Sequence, residues 1–223
     1  MRARSYLAVL AAFLLIAGCS QQSAGPSPAA ASAGSTANST TSINAPTFSD
    51  GDQFSIRLPG ETASGLQLPA DLDLVVKHDG DSPVFASKQT GQFEAGAFTL
   101  EFDPRMCVTQ SQVNNTLTRY RPCDQSAMFP LATGKTWTAR YGISSGGSEF
   151  SQLTGTGTVR GIESVTVPAG TFQAYRIDSR HGPADRTTLW YVPEPVGFFV
   201  KAQSSSPTEL NYELVSYHRA SAP

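Results

Sequence analysis

Short runs in which apolar and polar residues alternate extend from Phe48 to Tyr217, and they restrict the fold more than any other feature of the sequence. Alternation with a period of two places every second side chain on the same face of an extended chain, so it predicts half-buried antiparallel strands. The apolar members of these runs are Phe54, Ile56, Leu58, Leu72, Leu74, Val76, Phe98, Leu100, Phe102, Trp137, Ala139, Tyr141, Val165, Val167, Val196, Phe198, Val200, Leu210, Tyr212 and Leu214. Helical periodicity is weak throughout, and the pattern allows a single short helix, near residues 114–120.

Turn-forming residues separate the runs, as in Asp79-Gly80, Gly146-Gly147 and Pro168-Ala169-Gly170. From Lys135 onward the runs recur about every 10–15 residues, which predicts a meander of about six strands. The sequence therefore predicts one all-β domain over residues 48–218, an antiparallel meander curled into a half-barrel or a barrel. Residues 219–223 would follow it as a tail.

Two segments, residues 187–192 and 197–200, are apolar on both faces. Strands that are buried on both sides occur in a closed barrel with a covering element, or in a sheet that curls around a cavity. An apolar pocket and ordinary core packing both explain the pattern. If there is a pocket, we expect four aromatic residues to line it, namely Trp137, Tyr141, Trp190 and Phe198.

The N-terminus has the features of an export signal. Arg2 and Arg4 precede an apolar run, residues 7–17, that is shorter than the about 20 residues a membrane-spanning helix needs. The run ends in Ile16-Ala17-Gly18-Cys19, which resembles the lipobox of bacterial lipoproteins. The resemblance implies that residues 1–18 are removed as a signal peptide and that Cys19 is lipidated. Two or three acyl chains would then anchor the protein in the membrane far more firmly than one.

The resemblance also implies an address in the cell envelope. In enteric bacteria, an aspartate directly after the lipidated cysteine tends to retain lipoproteins in the inner membrane. Ser20 occupies that position here, which favours the outer membrane, with the protein facing the periplasm.

Residues 19–47, which begin with Cys19, consist almost entirely of Ser, Ala, Gly, Thr, Pro, Asn and Gln. Such a composition buries too little apolar surface to offset the entropy of ordering, so it predicts a disordered, flexible tether spanning roughly 30 Å. Of the 16 basic and 18 acidic residues, Arg2 and Arg4 leave with the signal, so the mature chain has a net charge of −4. This charge argues against a nucleic-acid partner and against a polybasic membrane patch.

Cys107 and Cys123 remain once Cys19 is assigned to lipid. A cysteine pair in an exported protein predicts a disulfide, because the periplasm is oxidising. The loop of about 15 residues that it closes would contribute roughly 3 kcal/mol in the chain-entropy model. A redox pair or a metal site is disfavoured, since the spacing is not Cys-x-x-Cys and the loop contains no histidine.

The C-terminal half carries a set of recurring phrases: Gly134-Lys135-Thr136-Trp137, then Val167-Pro168-Ala169-Gly170-Thr171-Phe172, then Trp190-Tyr191-Val192-Pro193 with Gly197. They resemble a family of poorly characterised bacterial envelope proteins. The resemblance implies a strongly curved antiparallel sheet, similar in shape to the carriers that ferry lipoproteins across the periplasm. It implies almost nothing about activity.

No motif in the sequence predicts catalysis, a cofactor or a metal. Ser144 lies in a Gly-x-Ser-x-Gly match, but no helix follows it as the nucleophile of a hydrolase requires. The glycines Gly155, Gly157 and Gly161 have the wrong spacing for a dinucleotide loop. His181, between two aspartates, is interpreted as part of a solvated turn.

Together these observations predict a non-enzymatic lipoprotein of the cell envelope. It would bind an apolar ligand or a lipidated partner in the concave face of its sheet. The alternative is a structural or assembly component that recognises another envelope protein. That alternative predicts a filled core together with an exposed apolar patch or a free sheet edge.

Overall fold

A computed structural model describes residues 42–58, 71–87, 98–113, 116–182, 185–205 and 211–220. The predicted signal, the lipidated Cys19, most of the tether and Leu210 lie outside these residues. All described residues belong to one compact unit, Ser39–Pro223. No helix long and apolar enough to span a membrane occurs among them.

Twelve strands form within the described ranges. They are β1 (Gln53–Arg57), β2 (Asp71–Asp79), β3 (Ser82–Ser87), β4 (Thr99–Phe102), β5 (Val108–Val113), β6 (Thr116–Asp124), β7 (Thr136–Ser145), β8 (Ser151–Val167), β9 (Gly170–His181), β10 (Asp185–Val192), β11 (Phe198–Ser204) and β12 (Tyr212–His218). Each strand pairs antiparallel with the next in the chain, and β1 pairs with β12, which closes a barrel. The prediction of an all-β antiparallel meander curled into a barrel is confirmed, and six strands follow Lys135, as predicted.

The short helix expected near residues 114–120 is wrong. Thr116–Asp124 forms β6, which is hydrogen-bonded to β5 on one side and to β7 on the other. Its threonines and Tyr120 favour an extended chain, and pairing on both edges satisfies backbone groups that an isolated helical turn would leave open.

Packed structure extends beyond both ends of the predicted 48–218 domain. Ile43 and Leu131 exchange two backbone hydrogen bonds of 2.8 and 2.7 Å. Phe48 lies with its ring edge against Phe85, at a centroid distance of 4.9 Å. At the other end, Arg219 forms an ion pair with the buried Asp52. The segment before β1 and the residue after β12 are therefore part of the folded domain.

The hairpin of β8 and β9 is longer than its neighbours and folds over the outside of the barrel. A bulge between Val159 and Gly161 breaks its register, and bulges bend and twist the strands that carry them. Beyond the bulge, Val165 and Val167 are buried while Ile162, on the opposite face, is 54% exposed. At the tip, the Ala169 amide donates to the Leu214 carbonyl of β12 at 3.0 Å. This hairpin is the covering element that the doubly apolar strands β10 and β11 require.

The tip of the hairpin turns where the sequence predicts. Val167 pairs with Gly170, so Pro168 and Ala169 form a two-residue turn. Gly170 has a φ of +138°, a conformation that glycine adopts at little cost because it has no Cβ.

Candidate functional site

A cavity of about 180 Å³ lies inside the barrel, and twelve of its eighteen wall residues are apolar. Most of the wall comes from β4, β5 and β6 on one side and from β10, β11 and β12 on the other. The six polar wall residues are Ser111, Tyr120, Asp124, Ser126, Thr187 and Tyr212. A cavity of about 150 Å³ in another protein binds benzene, so this space can hold a small apolar molecule or a short hydrocarbon segment.

The connection between β6 and β7, residues 125–135, enters the barrel and fills the part of its interior beside the cavity. Its Phe129 packs edge-on against Tyr191 of β10, with ring centroids 5.0 Å apart. Its Lys135 ammonium donates to the Met128 and Pro130 carbonyls at 2.6 and 2.8 Å. We call residues 125–135 the inner loop. It contacts Trp137 of β7 and His181 of β9, and its Ser126 and Ala127 form part of the cavity wall.

The inner loop explains why two of the four aromatic residues expected in a pocket lie elsewhere. Trp137 faces inward, but its Nε1 donates to the Gln125 carbonyl of the inner loop at 2.9 Å. Tyr141 also faces inward and contacts His181 through its hydroxyl. Both side chains lie behind the inner loop and are absent from the cavity wall.

The other two aromatic residues, Phe198 and Trp190, lie on opposite faces of the sheet. Phe198 lies in the cavity wall and stacks on Phe85 at a centroid distance of 5.1 Å. Trp190 faces outward, because its neighbours Thr187 and Leu189 alternate with it and line the cavity. Its indole N–H donates to Glu163 at 2.6 Å. Of the four aromatic residues predicted to line a pocket, Phe198 alone lies in the cavity wall.

The glycines of β8, whose spacing excludes a dinucleotide loop, have a packing role. Gly157 lies opposite Trp137, and a Cβ added to it would approach the indole ring to 2.0 Å. Gly155 lies beside Tyr141, at 3.3 Å from the position of an added Cβ. The missing side chains allow the two aromatic rings to lie flat against the inner surface of β8.

The cavity wall also includes Met106, which sequence analysis does not identify. The Asp103 carboxylate accepts hydrogen bonds from the Arg105 and Cys107 amides at 2.9 and 3.0 Å, which builds a tight turn. Met106 has a φ of +63° in this turn. That conformation costs a non-glycine residue of order 1–3 kcal/mol, and here the turn directs the buried Met106 side chain toward the cavity.

A disulfide joins Cys107 to Cys123, as predicted, with Cα atoms 5.6 Å apart. It links the start of β5 to the end of β6. Met106 and Asp124 each lie next to one of the cysteines, and both belong to the cavity wall. The disulfide therefore fixes this side of the wall.

A buried polar network lies where the inner loop meets β7 and β9. The His181 ring contacts the Tyr141 hydroxyl through Nδ1 at 2.5 Å and Ser126 Oγ through Nε2 at 3.0 Å. Ser126 Oγ in turn donates to Asp124 Oδ1 at 2.9 Å. With its one hydroxyl proton directed to Asp124, Ser126 Oγ accepts a hydrogen bond from His181 Nε2.

The interpretation of His181 as part of a solvated turn is wrong. Its side chain is 7% exposed, because β9 turns it toward the barrel interior. The neighbouring Asp178 faces outward and pairs with Arg160 and Arg176 at 2.8 and 3.0 Å. Burial by itself would raise the pKa of Asp178, but the hydrogen bonds from the two arginines outweigh it and hold the pKa below its usual value. Among the described residues, no three His, Cys, Asp or Glu side chains are grouped to hold a metal ion.

Comparison with known proteins identifies no family for this chain. No protein-family model matches the sequence, and no curated protein matches it. Among solved structures, the chain is similar to the hypothetical lipoprotein YmcC from Escherichia coli K12, with a TM-score of 0.44 and 13% sequence identity. The similarity covers 78% of this chain and 85% of that chain. The name of that protein specifies neither a ligand nor a reaction.

Proposed function

We propose that this protein is a non-enzymatic lipoprotein of the cell envelope that holds a small apolar ligand inside its barrel. The observation that carries the proposal is the cavity of about 180 Å³ with its mainly apolar wall. Protein interiors are normally packed as densely as organic crystals and contain few voids larger than a water molecule. A ligand that contacts this wall would gain about 25 cal/mol for each Å² of apolar surface that it removes from water.

The alternative, a component that recognises an envelope protein through an apolar patch or a free sheet edge, has less support. Within the described part of the chain, Ile162 is the one large hydrophobic residue with an exposed side chain. In the described ranges every strand has a hydrogen-bonded neighbour on both sides, although β11 and β12 pair at only two positions.

Filling the cavity provides the sharpest test of ligand binding. Ala202 lies in the cavity wall on β11, so Ala202→Leu should occupy the space with three added carbons and abolish the binding of toluene. We expect its stability to stay equal or to rise. Binding is measured by titration with the mature chain, which carries Cys19→Ala and is exported by an ordinary signal peptide, so that no detergent is present.

The matched control is Ala174→Leu, because Ala174 is fully buried in β9 and absent from the cavity wall. At that position the three added carbons have no space, so we expect overpacking to lower the free energy of unfolding by about 1–3 kcal/mol. The folded variant should keep its affinity for toluene. Equal toluene binding by wild type and Ala202→Leu would contradict the assigned site. Absence of any binding to wild type would overturn the proposed function.

The lipid anchor is tested at Cys19. Cys19→Ala should abolish incorporation of radiolabelled palmitate and move the protein from the membrane to the soluble periplasmic fraction, because no other thiol sits at the lipobox position. The control is the double variant Cys107→Ala/Cys123→Ala, which should keep the label. Label that persists in Cys19→Ala would show that the anchor lies elsewhere.

A further inference from the structure

The polar groups of the cavity wall differ in whether their hydrogen bonds are already made. Ser126 donates to Asp124 at 2.9 Å, and Asp124 also accepts from the Ser126 amide at 3.0 Å. Thr187 donates to Ser204 at 3.1 Å. These groups are paired within the protein and have little hydrogen-bonding capacity left for a ligand.

The Ser111 and Tyr212 hydroxyls differ, since neither makes a hydrogen bond within the described part of the chain. Tyr212 has the larger side chain of the two. Tyr212 lies on β12 opposite Ala202 of β11, and both side chains line the cavity. No group in the described part of the chain is within hydrogen-bond distance and geometry of its hydroxyl. Burial raises the pKa of this hydroxyl well above its ordinary value, as expected for a phenol surrounded by apolar groups. Tyr212 is only partly buried, so its hydroxyl is accessible from the cavity and can donate a hydrogen bond to a ligand there.

The charges around the cavity restrict what that partner can be. Among the described wall residues there is no lysine, arginine or histidine, whereas the Asp124 carboxylate is one of them. The nearby Lys201 ammonium is paired with Glu213 at 2.7 Å and lies outside the wall. A carboxylate or phosphate on the ligand would therefore be desolvated beside a like charge without a compensating cation.

We propose that the ligand of this cavity is a small neutral amphiphile, with an apolar body and a single hydroxyl or carbonyl oxygen that accepts a hydrogen bond from Tyr212. This inference rests on the proposed function, because it names the class of ligand for the same cavity. The apolar body replaces the empty space between the aromatic and aliphatic wall residues. The oxygen supplies the partner that the Tyr212 hydroxyl lacks.

The test compares two probes of the same size, phenol and toluene, which differ in a hydroxyl and a methyl group. The full mature chain with Cys19→Ala is titrated with each probe, and NMR or calorimetry measures the binding. We expect wild type to bind phenol more tightly than toluene. Tyr212→Phe should weaken phenol binding by about three- to tenfold, the range that one net hydrogen bond gives, and leave toluene binding unchanged. Benzoate should bind more weakly than phenol to both proteins.

Tyr175→Phe is the matched control, because Tyr175 is buried in β9 but absent from the cavity wall, and it should leave the affinities for both probes unchanged. Failure of wild type to bind either probe would overturn the proposed function and this inference with it. Binding of both probes with a phenol-to-toluene ratio that Tyr212→Phe does not change would overturn only the role of Tyr212. Benzoate binding tighter than phenol would overturn the neutral ligand class.

Discussion

Replacing Asp52 by alanine should lower the free energy of unfolding by about 3–5 kcal/mol, the range found when one partner of a buried ion pair is removed. The Asp52 side chain is fully buried. It accepts hydrogen bonds from the Ser49 and Ala220 amides at 3.0 and 2.7 Å, and it lies 3.0 Å from Arg219 Nε. The Nε–H is not aligned for a hydrogen bond, so this last contact is ionic. The substitution leaves two amides unsatisfied and a largely buried guanidinium without its counter-charge.

Arg219 connects the Asp52 carboxylate to other segments of the fold. Its Nη1 donates to the Val196 carbonyl at 2.9 Å and its Nη2 to the Thr47 carbonyl at 2.6 Å. The guanidinium also lies 5.1 Å from the centre of the Phe48 ring. The Asp52 variant should therefore also loosen the segment before β1, which limited proteolysis would detect as new cleavage near residues 42–50.

The control for Asp52→Ala is Asp71→Ala, which breaks the exposed ion pair between Arg57 and Asp71 on neighbouring strands β1 and β2. Both side chains are about half exposed, so we expect a loss below about 1 kcal/mol. Urea denaturation at neutral pH measures both changes. Equal losses in the two variants would contradict the role assigned to Asp52.

Replacing Gly157 by alanine should destabilise the domain by about 3–5 kcal/mol, a loss comparable to truncating a buried tryptophan. The new Cβ would lie 2.0 Å from the Trp137 ring, a distance that no packed pair of carbon atoms tolerates. The indole must leave the surface of β8, and its hydrogen bond to the Gln125 carbonyl of the inner loop is lost with it. Tryptophan fluorescence reports the displacement, and urea denaturation reports the loss.

A double-mutant cycle separates this clash from a general effect of adding a side chain. Once Trp137→Ala has removed the ring, Gly157→Ala should cost almost nothing more, because the space is open. Gly155→Ala on the same face of β8 is the control, since its Cβ would lie 3.3 Å from Tyr141 and requires only a small shift. Additive losses from Trp137→Ala and Gly157→Ala would contradict the packing described for this pair.

Local patterns are sufficient to predict the class of fold and several of the strands, but not all twelve, since β6 forms where a helix is expected. The alternation around Phe54, Leu74 and Phe102 predicts strands because side chains of an extended chain alternate between faces whatever they contact. The turn at Pro168-Ala169-Gly170 follows from the backbone preferences of its own residues. The pairing of Cys107 with Cys123 is predicted because they are the two cysteines that remain in an exported chain once Cys19 is assigned to lipid.

The candidate site is harder to predict, since it depends on contacts between distant parts of the chain. Trp137 and Trp190 both lie on predicted strands, yet Trp137 faces the barrel interior while Trp190 is buried on the opposite face of the sheet, because closure of the barrel and its bulges assign the faces. Periodicity cannot indicate that residues 125–135 enter the barrel, since that segment has no repeating pattern. Its entry removes Trp137 and Tyr141 from the cavity and leaves Phe198 as the one predicted residue in the wall.

The sequence by itself thus determines the class of fold, the disulfide and the absence of a recognisable catalytic motif, because each depends on residues close together in the chain or on composition. The tertiary structure alone decides the complete set of strands, which faces point inward and which side chains meet at the cavity. His181 shows the difference: two flanking aspartates favour a solvated turn, but β9 buries the ring against Ser126 and Tyr141. Tyr212 shows it equally, since only the pairing of β11 with β12 places it beside Ala202 in the cavity wall.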